Sequence, residues 1–559
     1  VCLVFIKIDY FIESVNKVIF MGVPRFFQFI QKYFPDTINH VNIHKQVNFQ
    51  VDNFYIDSNG LIHTAVREVF FPPKESKYNP RLAKKTKINK KNPGIEDVFN
   101  HVATTIDKLV QLVRPQQLLF VAIDGSAPMA KQSQQRQRRF VSAQNTTDDV
   151  LAVFDKNVIT PGTEFMERLS ESLIKFFKRK TQTDPLWKSL QVQFTDSNEA
   201  GEGEHKIINY IRKLTNKNSI RHCMYGLDAD LFMLSLTTHC PHFYLLREDI
   251  MTPDIHNCYY YTADIGLLHE QLFMKWDIEM GNTNRFVNDF IFLCFFIGND
   301  FLHHIPMFHD LLWSIPYLLD IRKEVIAGDY ITTVDGNGFN LKKLLKILKR
   351  IENAEANALM DLSYDNTFSY PAINTSIKNG KLDMSIFKPL YYKKTKITNV
   401  NEWCRDYIQG LEWVNYYYHN EPTNWQWLFP YHYTPLVSDL VEFLSGTVKI
   451  KKMSNIHTDP IDPYEQLLCV LPRKSHHAIP ELLRTIVNYP DISTFYPDTF
   501  SVDIEGKSRE WQGTALIPFL DYSIIHTYYL EILKNHPELT KKNTKSKKLI
   551  INGTYTKTE

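Results

Sequence analysis

The 559-residue chain is poor in cysteine, with seven residues scattered at 2, 223, 240, 258, 294, 404 and 469. None forms a C-x-x-C pair. An odd, dispersed set fits reduced thiols in an intracellular compartment, cytoplasm or nucleus, rather than a disulfide framework. No apolar run approaches the roughly 18 residues of a membrane-crossing helix, and no membrane partner is expected. The first twenty residues are apolar but are interrupted by Lys7, Asp9, Glu13 and Lys17. They lack a basic leader and a small-residue cleavage site, so a signal peptide is not expected in them. Excess charge is also missing. The formal net charge is only +2, so binding of a polyanion through global basicity is excluded and any such site must be a local patch. There are no internal repeats, and no Cys/His spacing suggests zinc.

Aromatic residues, by contrast, are plentiful, with 29 Tyr and 37 Phe. They can fill a large core and can also stack on bases. Alternating strand and helix patterns predict an α/β fold with a mostly parallel sheet. Strands are expected at Asn53–Asp57, from Leu118 towards Asp124, at Val192–Thr195, ending at Gly226, and at Phe243–Leu246. The domain expectation is an extension at 1–20, a core at 21–325, an irregular linker at 326–400 and an aromatic-rich, mixed second block at 401–525. A basic, disordered tail at 526–559 completes it. Met21 opens a new pattern, which is why residues 1–20 read as an extension. The lysine run between Lys84 and Lys91 reads as a surface loop.

Carboxylates recur at the ends of these elements: Asp57, Asp124, Glu202 with Glu204, Asp228 with Asp230, and Asp300. In an open α/β sheet, ligands bind outside the carboxyl ends of the strands, where loops distant in sequence converge. Carboxylates gathered there repel one another unless cations neutralise them. An all-oxygen donor set points to Mg²⁺ or Mn²⁺. Two such ions about 3.5–4 Å apart suit in-line phosphoryl displacement. Each acid taken singly is more simply a solvated group or a helix cap. Just after Asp124, the helix from Pro128 carries Lys131, Gln135, Arg138 and Arg139 at i, i+4, i+7 and i+8, which is one helical face. Such a face can hold phosphate, or it can be an ordinary solvated helix.

The motifs MGVPRFF at 21, IDSNGLIH at 56, AIDGSAPMAKQSQQRQRRF at 122, GEGEHKIINYIR at 201, GLDADLFML at 226, LLRE at 245 and GNDFLHHIP at 298 resemble the catalytic region of the Xrn-type 5′→3′ exoribonucleases. So do GLEWVNYYYHNEPTNWQWLFPYHYTPLVSDL at 410, DPYEQLLCVLP at 462 and WQGTALIPFLD at 511. The resemblance covers about residues 21–525. It implies a PIN-like, flap-nuclease-related core with a second region packed on it and a two-ion site. By motif, the metal ligands and catalytic acids fall on Asp57, Asp124, Glu202, Glu204, Asp228, Asp230 and Asp300. The 5′-monophosphate pocket falls on Lys131, Gln135, Arg138 and Arg139. His63 and one of Trp425 and Trp427 are implied as stacking residues, with the choice between the tryptophans open.

The implied activity is processive, metal-dependent 5′→3′ hydrolysis of 5′-monophosphorylated single-stranded RNA to nucleoside 5′-monophosphates, by a monomeric, minimal two-region enzyme, cellular or viral. The alternatives are a DNA or flap-type 5′ nuclease and an inactive RNA-binding scaffold. The chain departs from the family pattern at Asn288, where an Asp is usual, and at His303, where a Pro is usual. The first departure is expected to weaken a hydrogen bond or water ligand near the ions. The adjacent His303 and His304 are expected to point apart rather than to bind metal.

Overall fold

The structure, a computed structural model, describes residues 26–42, 47–72, 93–248, 258–276, 282–362, 370–505, 513–542, 549–551 and 556–558. Residues 1–20, the start of the Met21 motif and the Lys84–Lys91 run lie outside these. The centre is a nine-stranded sheet of β1 (Ile38–Asn42), β2 (Asn53–Asp57), β3 (Leu118–Ala122), β4 (Gln191–Thr195), β5 (His222–Tyr225), β6 (Phe243–Glu248), β7 (Cys258–Asp264), β8 (Leu549–Ile551) and β9 (Thr556–Thr558). Its order is β1-β7-β6-β5-β2-β3-β4-β8-β9. The five central strands are parallel, and the pairs beyond them on either edge are antiparallel. From β2 the chain steps through β3 to β4 on one side, then crosses back to β5 and β6 on the other. The crevice at this reversal, at the carboxyl ends of β2 and β5, is where such sheets bind ligands.

All residues of β2 and β3 are buried, as expected of parallel strands covered on both faces. Side chains alternate between two cores. Tyr55, Phe120 and Met224 face one. Phe54, Ile56, Leu119, Val121 and Tyr225 face the other, together with apolar residues of α1 (Asn59–Phe70), α2 (Ile95–Val113) and part of a later helix, Glu164–Thr183. α3 (Met129–Asn145) follows β3, α4 (Gly203–Lys213) follows β4 and α5 (Leu231–Leu236) follows β5. Each is delivered to the same sheet edge by the strand before it. α6 (Thr283–Cys294) and α7 (Leu311–Ile326) continue the first core.

Three expectations are corrected here. The stretch 326–400 is no irregular linker: it carries the 21-residue α8 (Leu341–Asp361). Leu344, Ile347, Leu348, Ile351 and Ala358 form its buried stripe, at helical spacing that the surrounding Lys and Asn residues disguise. The second block is predominantly helical, with α9 (Val400–His419), α10 (Pro463–Val470) and the start of α11 (Tyr522–Asn535), and among the described residues its strands are one two-residue pair, Val502–Asp503 with Thr514–Ala515. The basic tail is not disordered throughout. α11 packs into a third core with Met129 and Phe140 of α3, and β8 pairs with β4 of the central sheet, burying Leu549 and Ile551. The antiparallel strands β1, β7 and β8 were not anticipated. β1 and β8 are short, and their pairing depends on partners about 220 and 360 positions away.

The departure at Asn288 has a structural setting. The Asn288 Oδ1 meets His419 Nε2 at 3.2 Å. The neighbouring Asp289 is fully buried, pairs with Arg322 Nε at 2.8 Å, and accepts from the Ile331 and Thr332 amides and the Thr332 hydroxyl. Asp289 therefore fastens α6 to α7 and to the 331–332 segment. Removing one partner of a buried ion pair typically costs about 3–5 kcal/mol, because the other charge stays buried. Asp289→Ala should lower stability by about that amount, and Asp289→Asn, which retains acceptor capacity, by less. Denaturant unfolding of the three proteins checks this.

Candidate active site

The seven singled-out carboxylates converge at the carboxyl edge of the sheet. Asp57 ends β2, and Asp124 lies two residues past β3. Glu202 and Glu204 sit at the start of α4, and Asp230 immediately precedes α5. Asp300 follows the turn at Gly298, whose φ of 96° is a left-handed value open mainly to glycine. Oxygen atoms of Asp57, Asp124 and Glu204 lie within 4.8 Å of one another. Asn59 bridges two acids: its amide donates to Asp57 Oδ1 at 3.4 Å and its Nδ2 donates to Asp124 Oδ2. The Gly203 amide donates to Asp124 Oδ1 at 2.6 Å. A Cβ on Gly203 would lie 2.9 Å from Asp57 Oδ1 and 3.2 Å from Asp124 Oδ1, so only glycine lets the helix start approach this closely. The loop carrying Asp228 is held by Arg247, whose Nη1 donates to the Asp228 carbonyl at 2.5 Å and whose Nη2 donates to the Leu227 carbonyl.

Crowding shows in the electrostatics. Burial, then the Asp124 and Asp228 charges, push Asp57 well above the usual carboxylate range. Burial and Glu202 raise Asp124 to about 6. Glu204, Asp228 and Asp230 are raised as well, burial leading in each case, with Glu202 next for Glu204 and Asp300 next for Asp230. The buried Asp230 Oδ1 has no hydrogen-bond partner. Closely spaced oxygens, mutual repulsion and an orphaned carboxylate oxygen fit a divalent cation with oxygen ligands. Asp57, Asp124 and Glu204 could hold one such ion. His303 and His304 belong to no cluster of potential metal ligands among the described residues.

The basic face of α3 is divided rather than uniform. Lys131, 1% exposed, places its ammonium 2.5 Å from Glu202 Oε2 and 2.7 Å from Asp300 Oδ2, inside the acid cluster. Arg139 donates to the Asn157 and Ile159 carbonyls at 3.2 and 3.3 Å. Gln135 Oε1 and Arg138 Nε and Nη1 are buried with no hydrogen-bond partner. His63 lies on the outer side of α1 beside these cations, and crowding that strips its hydration, followed by the Arg139 and Arg138 charges, pushes its imidazole down to about 3. The fold thus joins α1 to α3 at the outer end of the face and the acids to α3 at its inner end. Seven residues separate Lys131 from Arg138, or about 10 Å along a helix.

The two tryptophans part company. Trp427 stacks on Trp413 at 4.9 Å and covers Gly410, so it belongs to the core. Trp425 is half-buried and enters no aromatic pair among the described residues. Its carbonyl accepts from the Met129 amide at 2.7 Å, which seats its loop on the first residue of α3.

Several residues of the site were not singled out from the sequence. Tyr417 donates to Glu202 Oε1 at 2.9 Å, and its ring stacks on His205 at 3.9 Å. Arg136, on the opposite side of α3, donates to the Cys469 carbonyl at 3.0 Å and anchors the second block. Asn59 and Arg247 lie inside quoted motifs, one to three residues from a strand end, and that position was the available signal.

The raised carboxylates set the sign of a pH effect. A folded-state pKa above the unfolded value means that the native state binds the extra proton, so this contribution to stability is present at low pH and is lost as pH rises. For Asp124 the loss falls between about 4, its ordinary value, and about 6. In chelator, the melting temperature should fall across that window relative to an Asp124→Asn variant, and saturating Mg²⁺ or Mn²⁺ should remove the difference. Thermal melts at pH 4.5 to 7 check it.

Comparison with known proteins agrees with this layout. Two family models match the chain: the XRN 5′-3′ exonuclease N-terminus over residues 21–249, and the Xrn1 helical domain over residues 280–366 and 381–559. The human 5′-3′ exoribonuclease 1 is 29% identical over 90% of this chain and 33% of its own length. The Drosophila melanogaster 5′-3′ exoribonuclease 2 homolog is 29% identical over 90% of this chain and 70% of its own length. The Saccharomyces cerevisiae 5′-3′ exoribonuclease 1 is 27% identical over 95% and 44%. The chain thus spans a third to about two thirds of the length of these relatives. Among solved structures, the T5 D15 protein co-crystallised with metal ions aligns over 50% of this chain and 76% of its own, at 11% identity and a TM-score of 0.27, a likeness too slight to carry weight. With both of its blocks matched in order, from residue 21 to the last residue, the chain belongs to the XRN 5′-3′ exonuclease family.

Proposed function

We propose that the protein is a processive, divalent-metal-dependent 5′→3′ exoribonuclease that takes 5′-monophosphorylated single-stranded RNA and releases nucleoside 5′-monophosphates. One observation carries this reading. The carboxylate cluster lies at the head of a helix whose second and third turns present two buried, unpartnered donor nitrogens of Arg138, with the Gln135 amide beside them. Buried guanidinium nitrogens without acceptors are costly, and a terminal phosphate with its several oxygens would satisfy them. An internal phosphodiester offers less charge, so the arrangement favours a free 5′ end.

In this reading Gln135 and Arg138 bind the 5′-phosphate, and Arg139, held by the 157–159 carbonyls, adds charge beside it. The first base lies on His63. A neutral imidazole presents an aromatic face without adding charge to the arginines. Trp425 supplies the second stacking surface, because Trp427 is committed to Trp413. Stacking tolerates every base, which suits sequence-independent degradation. The first internucleotide phosphate then lies over the acids Asp57, Asp124, Glu202, Glu204, Asp228, Asp230 and Asp300, which would hold the metal ions. Two Mg²⁺ or Mn²⁺ ions bound there would supply Lewis acidity toward that phosphate and the attacking water. Water adds to phosphorus and the 3′ oxygen of the first nucleotide leaves with the released mononucleotide, while the phosphate stays on the shortened strand, which begins again with a 5′-phosphate. No covalent enzyme intermediate is required.

The test is a panel of 5′-monophosphate, 5′-triphosphate and 5′-hydroxyl RNA with matching DNA, each with Mg²⁺ or chelator. Monophosphorylated RNA should be degraded fastest, and only with metal. Equal rates on all ends would overturn the end-binding assignment. Preference for internal cuts in DNA would favour a flap-type nuclease, and binding without turnover a scaffold. Arg138→Ala should cut kcat/KM on monophosphorylated RNA by about 10- to 150-fold, the equivalent of a charged hydrogen bond of about 1.5–3 kcal/mol, with less effect on 5′-hydroxyl RNA. Trp425→Ala should weaken RNA binding by about 1–3 kcal/mol without destabilising the fold. Trp427→Ala should instead unfold earlier, by about 3–5 kcal/mol.

A further inference from the structure

The division of the α3 face has a consequence for how metal and substrate communicate. Lys131 is the innermost cation of a face whose outer members, Gln135 and Arg138, have buried atoms without partners. Its own ammonium is taken up by Glu202 at 2.5 Å and Asp300 at 2.7 Å. Those carboxylates come from widely separated elements, the head of α4 and the turn after Gly298, and both meet the Lys131 ammonium. Glu202 has its other oxygen on the Tyr417 hydroxyl at 2.9 Å, so its orientation is set independently of the lysine.

An ion ligated at about 2.0–2.1 Å by oxygens of both Glu202 and Asp300 would claim the same gap between them that the ammonium fills. Both cannot occupy it. The three-carboxylate group of Asp57, Asp124 and Glu204 is not paired with Lys131, so an ion there meets no such competitor.

We propose that Lys131 is a stand-in cation for one of the two ions: it neutralises Glu202 and Asp300 while that ion is absent, and is displaced when the ion binds. The displaced ammonium is then available to the anion held by Gln135 and Arg138, one and two turns further along the helix. Metal loading and 5′-phosphate binding are thereby coupled through a single side chain, and the coupling is reciprocal: each ligand raises the affinity of the other. This rests on the metal and 5′-phosphate assignments made above. It adds an order of events, since the end-binding face is complete only after the second ion has arrived. It makes Lys131 a positioning residue that serves the acids first and the phosphate second.

The experiment is Mn²⁺ binding, followed by electron paramagnetic resonance and titration calorimetry, with and without a nucleoside 5′-monophosphate and with the nucleoside as control. Wild-type protein should bind one Mn²⁺ tightly and a second more weakly. The monophosphate should tighten the second at least five-fold, and Mn²⁺ should tighten the monophosphate by the same factor. In Lys131→Met the second Mn²⁺ should bind at least five-fold more tightly than in wild type without nucleotide, because its competitor is gone, and the nucleotide effect should shrink. The metal-free variant should melt earlier than wild type and regain more from Mn²⁺. If Met is not tolerated, Lys131→Gln, which keeps a donor without the charge, gives the same readouts. Unchanged or weaker Mn²⁺ binding in the variants, with only a lower melting temperature, would make Lys131 a structural ion pair and overturn the exchange. Wild-type protein that bound no Mn²⁺ would overturn the metal assignment itself.

Discussion

Repulsion among carboxylates at one edge of a parallel sheet is the constraint on which the site depends. Asp57, Asp124, Glu204, Asp228 and Asp230 all hold their protons more tightly than ordinary carboxyls do. Such an arrangement is a cost to the fold, and it persists because the strands that deliver the acids are locked in place. β2 and β3 are buried on both faces between two cores, and side chains of Val, Leu, Ile and Phe type buried there contribute about 1.5–3 kcal/mol each. The sheet pays for the site. The backbone amides and side chains around the acids, from Asn59, Gly203 and Tyr417, share out the carboxylate oxygens but do not neutralise them.

The second block completes this site rather than lying beside it. Tyr417 of α9 reaches Glu202, the Trp425 carbonyl seats the first residue of α3, and Gln466 Oε1 accepts from the Ala127 amide at 2.9 Å. Arg136 reaches the other way, from α3 into the carbonyls of the second block. α3 is consequently held along its length by contacts from residues more than 290 positions away. A helix so held can carry a phosphate-binding group at a fixed distance from a metal site, which a helix free at one end could not.

Much of the central sheet was legible in the sequence, because parallel strands buried on both faces read as short apolar runs ended by an acid and a glycine or asparagine. α1, α3, α4 and α5 were legible for the same reason, each being the next element after its strand. α8 was legible in principle, its apolar spacing hidden among lysines and asparagines. β1 and β8 were not, because their stability comes from pairing with β7 and β4 rather than from local pattern. Among the aromatic residues, Trp425 and Trp427 were indistinguishable by composition and spacing, and only the presence of Trp413 and Gly410 against one of them separates their roles.

The residue types at the strand ends, and their order along the chain, determined by themselves that carboxylates gather at one sheet edge beside a cationic helix. Helical periodicity determined that Lys131, Gln135, Arg138 and Arg139 share a face. What that face does with its charges was decided by tertiary structure alone. Periodicity fixes direction but not reach, and the turn after Gly298 brings Asp300 from 169 positions away to meet the lysine and not the arginines. The result is one cation given to the acids, one arginine tied to carbonyls, and a glutamine and an arginine left with unpaired buried atoms. A charge pattern in sequence carries no information on which partner arrives first, because that depends on the packing of elements far apart in the chain.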